Sequence, residues 1–169
     1  MNSIEIRGPK EEVNKLYDRI EQSGEVLQTI HDIGEWDYDK AIEEWGTKWD
    51  IDANEANIDL MEAGSDSILF INADTAWSPP LKALEYLVKN NPSLSADAIY
   101  FEPDMGFCGH FNAYCEDGEI CVIDDCYDIT HENIDELPEE LVDAFGIRSF
   151  YEFEEDEEES IEPETKLEP

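Results

Sequence analysis

Four cysteines and a histidine lie close together in the chain, and these residue types bind zinc. Cys108, Cys115, Cys121 and Cys126 fall within 19 residues, with His110 among them. Thiolates and imidazoles are the usual ligands of structural zinc. There is no Cys-x-x-Cys pair, however, and an Asp-Gly turn signal separates the cysteines into two pairs. We therefore predict small buried side chains rather than a metal site, and reduced thiols rather than a Cys115–Cys121 disulfide bond.

A second group of residues imitates the start of a calcium-binding loop. Asp50, Asp52 and Asn54 occupy alternate positions, as the first oxygen ligands of such a loop do. The sixth position, which requires glycine, is Glu55, and the twelfth, which requires a bidentate glutamate, is Met61. We therefore predict no specific metal site and no other cofactor.

No catalytic arrangement is recognisable among the nucleophiles and histidines. The chain contains no Ser-His-Asp order, no nucleophile elbow and no phosphate-binding loop. His31, His110 and His131 have no motif around them, and close carboxylate pairs arise by chance among 45 acidic residues. We therefore predict that the protein is not an enzyme.

The carboxylates themselves are the remaining chemistry. The chain has 45 Asp and Glu against 10 Lys and Arg, a formal net charge of −35. Residues 116–143 contain no Lys or Arg, and apolar residues alternate with the acids, so this region should fold and hold its carboxylates on a surface. We predict that these carboxylates bind a partner: Glu116, Asp117, Glu119, Asp124, Asp125, Asp128, Glu132, Asp135, Glu136, Glu139, Glu140 and Asp143. The alternative is a solvated face without a specific partner.

This charge restricts the classes of partner. Nucleic acids and anionic membranes would bring like charges together, so we expect direct binding to neither. Basic protein surfaces are the natural partners. The N-terminus has neither the basic start nor the apolar run of a signal peptide, and no apolar stretch is long enough to span a membrane, so we expect a cytoplasmic protein.

The elements that must position these residues can be read from apolar periodicity and from turn signals. Their order is strand, helix, strand, strand, helix, strand, followed by a hairpin and a helix. The expected strands and helices cover residues 3–7, 9–24, 39–45, 57–62, 67–72, 79–90, 98–102, 107–114, 119–124 and 138–145. This order predicts an α+β fold, a ferredoxin-like βαββαβ sandwich with a C-terminal hairpin and helix extension. We expect one domain over residues 1–150 and a disordered acidic tail over residues 151–169.

Two tryptophan motifs stand out. One is Trp45-Gly46-Thr47-Lys48-Trp49, and the other is Thr75-Ala76-Trp77-Ser78-Pro79-Pro80. Together with Tyr100-Phe101-Glu102 and Phe107-Cys108-Gly109, they resemble the YubB-type ferredoxin-like family of phage and plasmid proteins. The resemblance covers roughly residues 1–125. It implies the ferredoxin-like fold and a mobile-element origin, and it implies no activity.

The tryptophans also have a physical interpretation of their own. Trp45, Trp49 and Trp77 can pack on each other or on the sheet, and Lys48 can stack on an indole or pair with a carboxylate. This describes a core-and-loop signature. The alternative is a ligand pocket between Trp49, Trp77 and Lys48.

Three hypotheses for function follow. The first is a phage or mobile-element inhibitor that mimics the charge of DNA and binds a basic, nucleic-acid-binding host protein, such as a restriction, CRISPR or other defence complex. The second is a protein-binding module of the ferredoxin-like family, in which acidity serves only solubility. The third is an enzyme or small-ligand protein built on the region of Trp49 and Trp77.

Overall fold

The computed structural model describes residues 1–152, and the predicted acidic tail lies outside the described residues from residue 153 onward. The fold is α+β, as predicted, with a six-stranded antiparallel sheet in the order β2-β3-β1-β4-β5-β6. Within the described residues, the chain divides into two compact units, residues 1–128 and residues 129–152. In chain order, the elements are β1 Asn2–Pro9, α1 Lys10–Ser23, α2 Val26–Ile30, α3 Tyr38–Glu44, β2 Asn57–Ala63, β3 Asp66–Ala73, α4 Leu81–Asn90, β4 Ser95–Glu102, β5 Phe107–Glu116, β6 Glu119–Asp128, a 3-10 turn Ile134–Glu136 and α5 Glu139–Phe145.

The core of the first unit lies between the helices and one face of the sheet. Apolar residues at helical spacing in α1 and α4 are buried there, including Val13, Ile20 and Leu84. They pack with alternate strand residues such as Ile4 and Ile71. Because successive strand residues point to opposite faces, this alternation places one face of the sheet against α1 and α4, and α2 packs against these two helices.

Two helices, rather than one, occupy the long connection between α1 and β2. The sequence predicted only the helix over residues 39–45, which the structure places at Tyr38–Glu44. The additional helix, α2, has five residues, of which Val26, Leu27 and Ile30 are buried. Its brevity leaves too little periodicity for a sequence pattern to reveal it.

The β5–β6 hairpin forms the last two strands of the sheet. Its turn has Asp117 at φ 52° and Gly118 at φ 83°, as the Asp-Gly signal predicted. The strands are longer than expected, because β5 continues to Glu116 and β6 to Asp128. Among the described residues 1–152, β6 pairs with β5 alone, so it is an edge strand of the sheet.

The second unit, described up to residue 152, contains the 3-10 turn and α5, and residues 147–152 are also helical. Its buried side chains include Leu141, Ile147 and Tyr151, and the ring of Tyr151 lies edge-on to that of His131 with 5.1 Å between centroids. Within residues 1–152, no helix combines the length and the apolar character that a membrane crossing requires.

Candidate functional site

The two tryptophan motifs, separated in sequence, form one tied pair of loops. The Thr47 hydroxyl, fully buried, donates to the carbonyl oxygen of Ala76 at 3.1 Å. The Ser78 hydroxyl donates to the carbonyl oxygen of Gly46 at 2.5 Å. Each motif therefore holds the other through its own small polar residue, which explains why threonine and serine stand between the bulky aromatic residues.

These loops hold Lys48 between two indoles, and a third indole, from Trp36 outside both motifs, stacks on one of them. The Lys48 ammonium lies 4.8 Å from the ring centroid of Trp49 and 4.8 Å from that of Trp77, a double cation–π contact. Trp36 stacks on Trp49 with 4.6 Å between centroids, and its indole N–H donates to the carbonyl oxygen of Lys48 at 3.0 Å. We call Trp36, Lys48, Trp49 and Trp77 the indole cluster.

The indole cluster is a surface feature rather than part of the core. Trp36, Trp49 and Trp77 are 46, 48 and 52% exposed, whereas Trp45 is buried and donates its indole N–H to the His31 carbonyl oxygen at 2.8 Å. Of the two roles predicted as alternatives for Lys48, the structure shows stacking on an indole. Trp45 lies in the core, in agreement with the core-and-loop interpretation. The sequence did not indicate the role of Trp36, because Trp36 lies outside both motifs.

In two of the residues that resemble a calcium loop, Asp50 and Asp52, carboxylate oxygens accept hydrogen bonds from the backbone. The Asp50 carboxylate accepts from the N–H groups of Leu27 at 2.6 Å and of Gln28 at 2.9 Å, at the start of α2. Asp52 accepts from the N–H of Asn54 at 2.8 Å, which closes a local turn. Burial raises the pKa of Asp50, and these backbone hydrogen bonds oppose the rise. The three residues position a helix and a turn.

The cysteines lie on opposite faces of the β5–β6 hairpin. Cys115 pairs with Ile120 and Cys121 with Tyr114, so strand alternation directs Cys115 and Cys121 away from each other, and both are free thiols. The same alternation separates Cys108 from Cys115. Within residues 1–152, no three His, Cys, Asp or Glu side chains are grouped as a metal site would require.

All twelve carboxylates of the predicted binding surface are exposed. Six of them belong to the second unit, where Asp135 forms a salt bridge with Arg148. The other six lie on the β5–β6 hairpin, which we call the acidic hairpin: Glu116, Asp117, Glu119, Asp124, Asp125 and Asp128. Residues 107–128 contain no Lys or Arg, so no lysine or arginine of the hairpin itself neutralises these charges.

The carboxylates of the acidic hairpin do not share one face. Asp124 and Asp125 are adjacent in β6, so they point to opposite sides of the sheet. Asp125 lies beside His110 in the strand register. Asp124 lies on the side of the helices, where it accepts from the Tyr100 hydroxyl at 2.6 Å. The hairpin therefore presents negative charge to both sides of the sheet edge.

A groove of about 370 Å³ runs between α4 and β6 on the helix side of the sheet. We call it the β6 groove. Phe107, Phe111 and Val122 contribute apolar surface, and Lys82 and Asp124 contribute polar groups. Burial and the neighbouring carboxylate raise the pKa of Tyr100, so its phenol stays protonated and donates to Asp124. This groove could not be predicted, because it depends on how far α4 covers the last strands.

Comparisons with known proteins assign no role to these features. The chain matches no family model, no curated protein and no solved structure. The roles of the indole cluster, the acidic hairpin and the β6 groove therefore rest on their own geometry and charge.

Proposed function

We propose that the protein binds a basic, nucleic-acid-binding host protein by mimicking the charge of DNA. The observation that carries this proposal is the acidic hairpin, an ordered sheet edge with six exposed carboxylates and no lysine or arginine of its own. Fixed charges attract a basic groove without the ordering cost of a flexible tail. They also steer the encounter, and salt weakens both effects.

The dimensions of the hairpin suit one face of a duplex. At about 3.3 Å per residue, β6 extends over about 30 Å, close to one helical turn of DNA. A duplex of that length carries about 18 negative charges, three times the number on the hairpin, by the spacing of one charge per 1.7 Å. We infer that the hairpin replaces the part of the duplex that faces the protein groove, rather than the whole duplex.

We propose the setting from the fold and from the two tryptophan motifs. The strand order β2-β3-β1-β4, with helices on one face, is consistent with a ferredoxin-like sandwich extended by β5 and β6. The motifs support membership of the YubB-type family of phage and plasmid proteins. The protein would then act in the cytoplasm of a bacterial host as an inhibitor of a restriction, CRISPR or other defence complex. It would act by binding, without catalysis or a cofactor.

The test is competition with DNA. The protein is used to capture partners from nuclease-treated host lysate, and the captured protein is then bound to a labelled duplex. We expect the protein to displace the duplex at about 50 mM salt and to lose this ability at about 500 mM salt, because screening shortens the range of the attraction. A partner that binds no nucleic acid, or a duplex that is not displaced at low salt, would contradict the proposal.

A charge-matched pair of variants locates the effect. One variant neutralises Glu116, Asp117, Glu119 and Asp125, and the control neutralises four exposed acids of α1 and α3, namely Glu11, Asp18, Glu21 and Glu43. Both lose four negative charges, so their overall attraction to a basic protein falls equally. We expect the hairpin variant to displace the duplex at least tenfold more weakly than the control does. Equal displacement would show that only the net charge matters.

A second candidate function is supported by the indole cluster. Exposed tryptophans are enriched at protein interfaces, and three of them lie together here. In this alternative the protein is a binding module that engages a protein partner through Trp36, Trp49 and Trp77, and acidity serves solubility. Replacing Trp49 and Trp77 by alanine would then abolish partner capture, while the hairpin variant would retain it. The opposite pattern supports DNA mimicry.

A further inference from the structure

The outer edge of β6 has the features of a strand-accepting surface. The strand has ten residues, and in the part of the chain that the structure describes it pairs with β5 on one side only. The backbone N–H and C=O groups on the other side of an edge strand can pair with another chain, and proteins usually protect such an edge with charged side chains, especially lysine, with a proline or with a bulge. β6 contains no lysine and no proline, and its register with β5 runs without a gap from Glu119 to Asp128. The charges that it does carry are all negative, so they protect the edge against neutral or acidic strands and not against a basic one.

The exposed apolar residues of β6 lie at its centre. Val122 is 41% exposed and Ile123 is 48% exposed, and they point to opposite faces of the sheet. Asp124 and Asp125 follow, also on opposite faces. Each side of the strand therefore offers one apolar and one acidic side chain in succession.

The β6 groove lies beside this edge on the helix side. Its apolar surface, contributed by Phe107, Phe111 and Val122, is open to a side chain that approaches along β6. An edge strand with an adjacent groove below a helix is the arrangement through which peptide-binding domains accept an added strand, with main-chain bonds giving affinity and the groove giving specificity. The other sheet edge, β2, is shorter, with seven residues.

We propose that an extended segment of a basic protein partner pairs with the edge of β6 as an additional strand and inserts one apolar side chain into the β6 groove. This inference rests on the proposed function for the basic character of the partner. Directly opposed side chains interact across paired strands. Val122, Ile123, Asp124 and Asp125 therefore select two adjacent apolar residues and two adjacent basic residues. An antiparallel segment carries them in the order basic, basic, apolar, apolar.

The probe is a labelled ten-residue peptide with a central Lys-Arg-Ile-Val sequence and Thr flanks, measured by fluorescence anisotropy against the full chain. A scrambled peptide with a central Lys-Ile-Arg-Val has the same composition but places both basic residues on one face. We expect the Lys-Arg-Ile-Val peptide to bind at least tenfold more tightly than the scrambled one. A third peptide, N-methylated at alternate residues, cannot donate the main-chain hydrogen bonds, and we expect it to lose binding.

Protein variants separate strand pairing from charge attraction. Ile123→Asp adds a negative charge to the hairpin. If charge alone attracts the peptide, its affinity should rise or stay equal. If the peptide pairs as a strand with an apolar residue opposite Ile123, its affinity should fall about tenfold. Met61→Asp on β2 is the matched control, because Met61 is 47% exposed and the charge change is the same. Both exposed positions should tolerate the change, and circular dichroism verifies that each variant is folded.

The outcomes are distinct. The inference is supported if the Lys-Arg-Ile-Val peptide binds tightly and if Ile123→Asp and N-methylation each abolish this binding. If all three peptides bind equally and Ile123→Asp does not change their binding, strand pairing is overturned. The proposed function remains compatible with that result. Failure of every basic peptide to bind at low salt contradicts the basic partner itself, and with it both proposals.

Discussion

At the scale of single residues, Gly109 makes room for the Tyr100 ring that borders the β6 groove. A Cβ atom at Gly109 would overlap the Tyr100 hydroxyl and lie 2.7 Å from the carbonyl oxygen of Asp125. We predict that Gly109→Ala lowers the free energy of unfolding by about 2–3 kcal/mol, because neither the ring nor the β6 backbone can move freely. Urea denaturation measures this change. Ser65→Ala, in an exposed turn, serves as the control, and an equal loss in both variants would contradict the explanation.

Two thiols of the hairpin should differ in reactivity. Burial raises the pKa of Cys108 to about 11, whereas Cys126 is exposed. Because the thiolate is the nucleophile, we predict that iodoacetamide at pH 8 alkylates Cys126 in the folded protein and spares Cys108 until denaturant is added. Mass spectrometry of the labelled peptides measures both sites. Rapid labelling of Cys108 without denaturant would contradict the burial of this thiol.

At the scale of elements, Asp50 shows how a distant side chain starts a helix. Its carboxylate accepts hydrogen bonds from Leu27 and Gln28 at the N-terminus of α2. We predict that Asp50→Ala lowers the free energy of unfolding by about 1–2 kcal/mol, because these N–H groups lose their acceptor. Thermal or urea denaturation measures the loss. Asp39→Ala, exposed in the first turn of α3, is expected to change stability far less.

The pH dependence of Asp50 has a definite sign. Burial raises the pKa of Asp50 above its usual 3.8, so the folded state holds the proton to a higher pH than the unfolded state. The stability contributed by this group is complete below about pH 3.8 and is lost as the pH rises through the raised pKa. We expect the stability of wild type relative to Asp50→Asn to fall across that interval. If the free energy of unfolding of the wild type instead rose relative to that of Asp50→Asn with increasing pH, this sign would be wrong.

Local patterns predicted the elements that local forces specify. The strands of the first unit, α1 after Pro9 and α4 after Pro80 appear close to the expected positions, because apolar periodicity and turn residues determine them. α2 was missed, because the carboxylate that caps it lies 23 residues away. β6 was predicted too short, because Asp125 and Asp128 disfavour a strand locally, and pairing with β5 overrides that preference.

The candidate site was predictable to a similar degree. The sequence identified which carboxylates are exposed. Had the bounds of β6 been predicted correctly, strand alternation would also have placed Asp124 and Asp125 on opposite faces of the sheet. The β6 groove and the position of Trp36 on Trp49 depend on tertiary packing between elements distant in sequence. No local pattern encodes such contacts.

At the scale of the whole molecule, a net charge of −35 opposes compactness. Unfolding separates the like charges, so screening should favour the folded state. We predict that the melting temperature rises by about 3–6 °C between low salt and about 0.5 M sodium chloride, equivalent to about 1–2 kcal/mol. Differential scanning calorimetry measures the shift. The hairpin variant with four neutralised acids should show a smaller rise, and a melting temperature that falls with salt would contradict the prediction.

The stack of Trp36 on Trp49 has a spectroscopic consequence. Two indoles 4.6 Å apart couple their electronic transitions, so the pair should give a split circular-dichroism signal in the ultraviolet that Trp36→Phe removes. The acidic hairpin contains no tryptophan. The indole cluster therefore carries a coupled tryptophan chromophore that the acidic hairpin lacks, and a partner that perturbs this signal reveals, without any label, that it has reached the indoles.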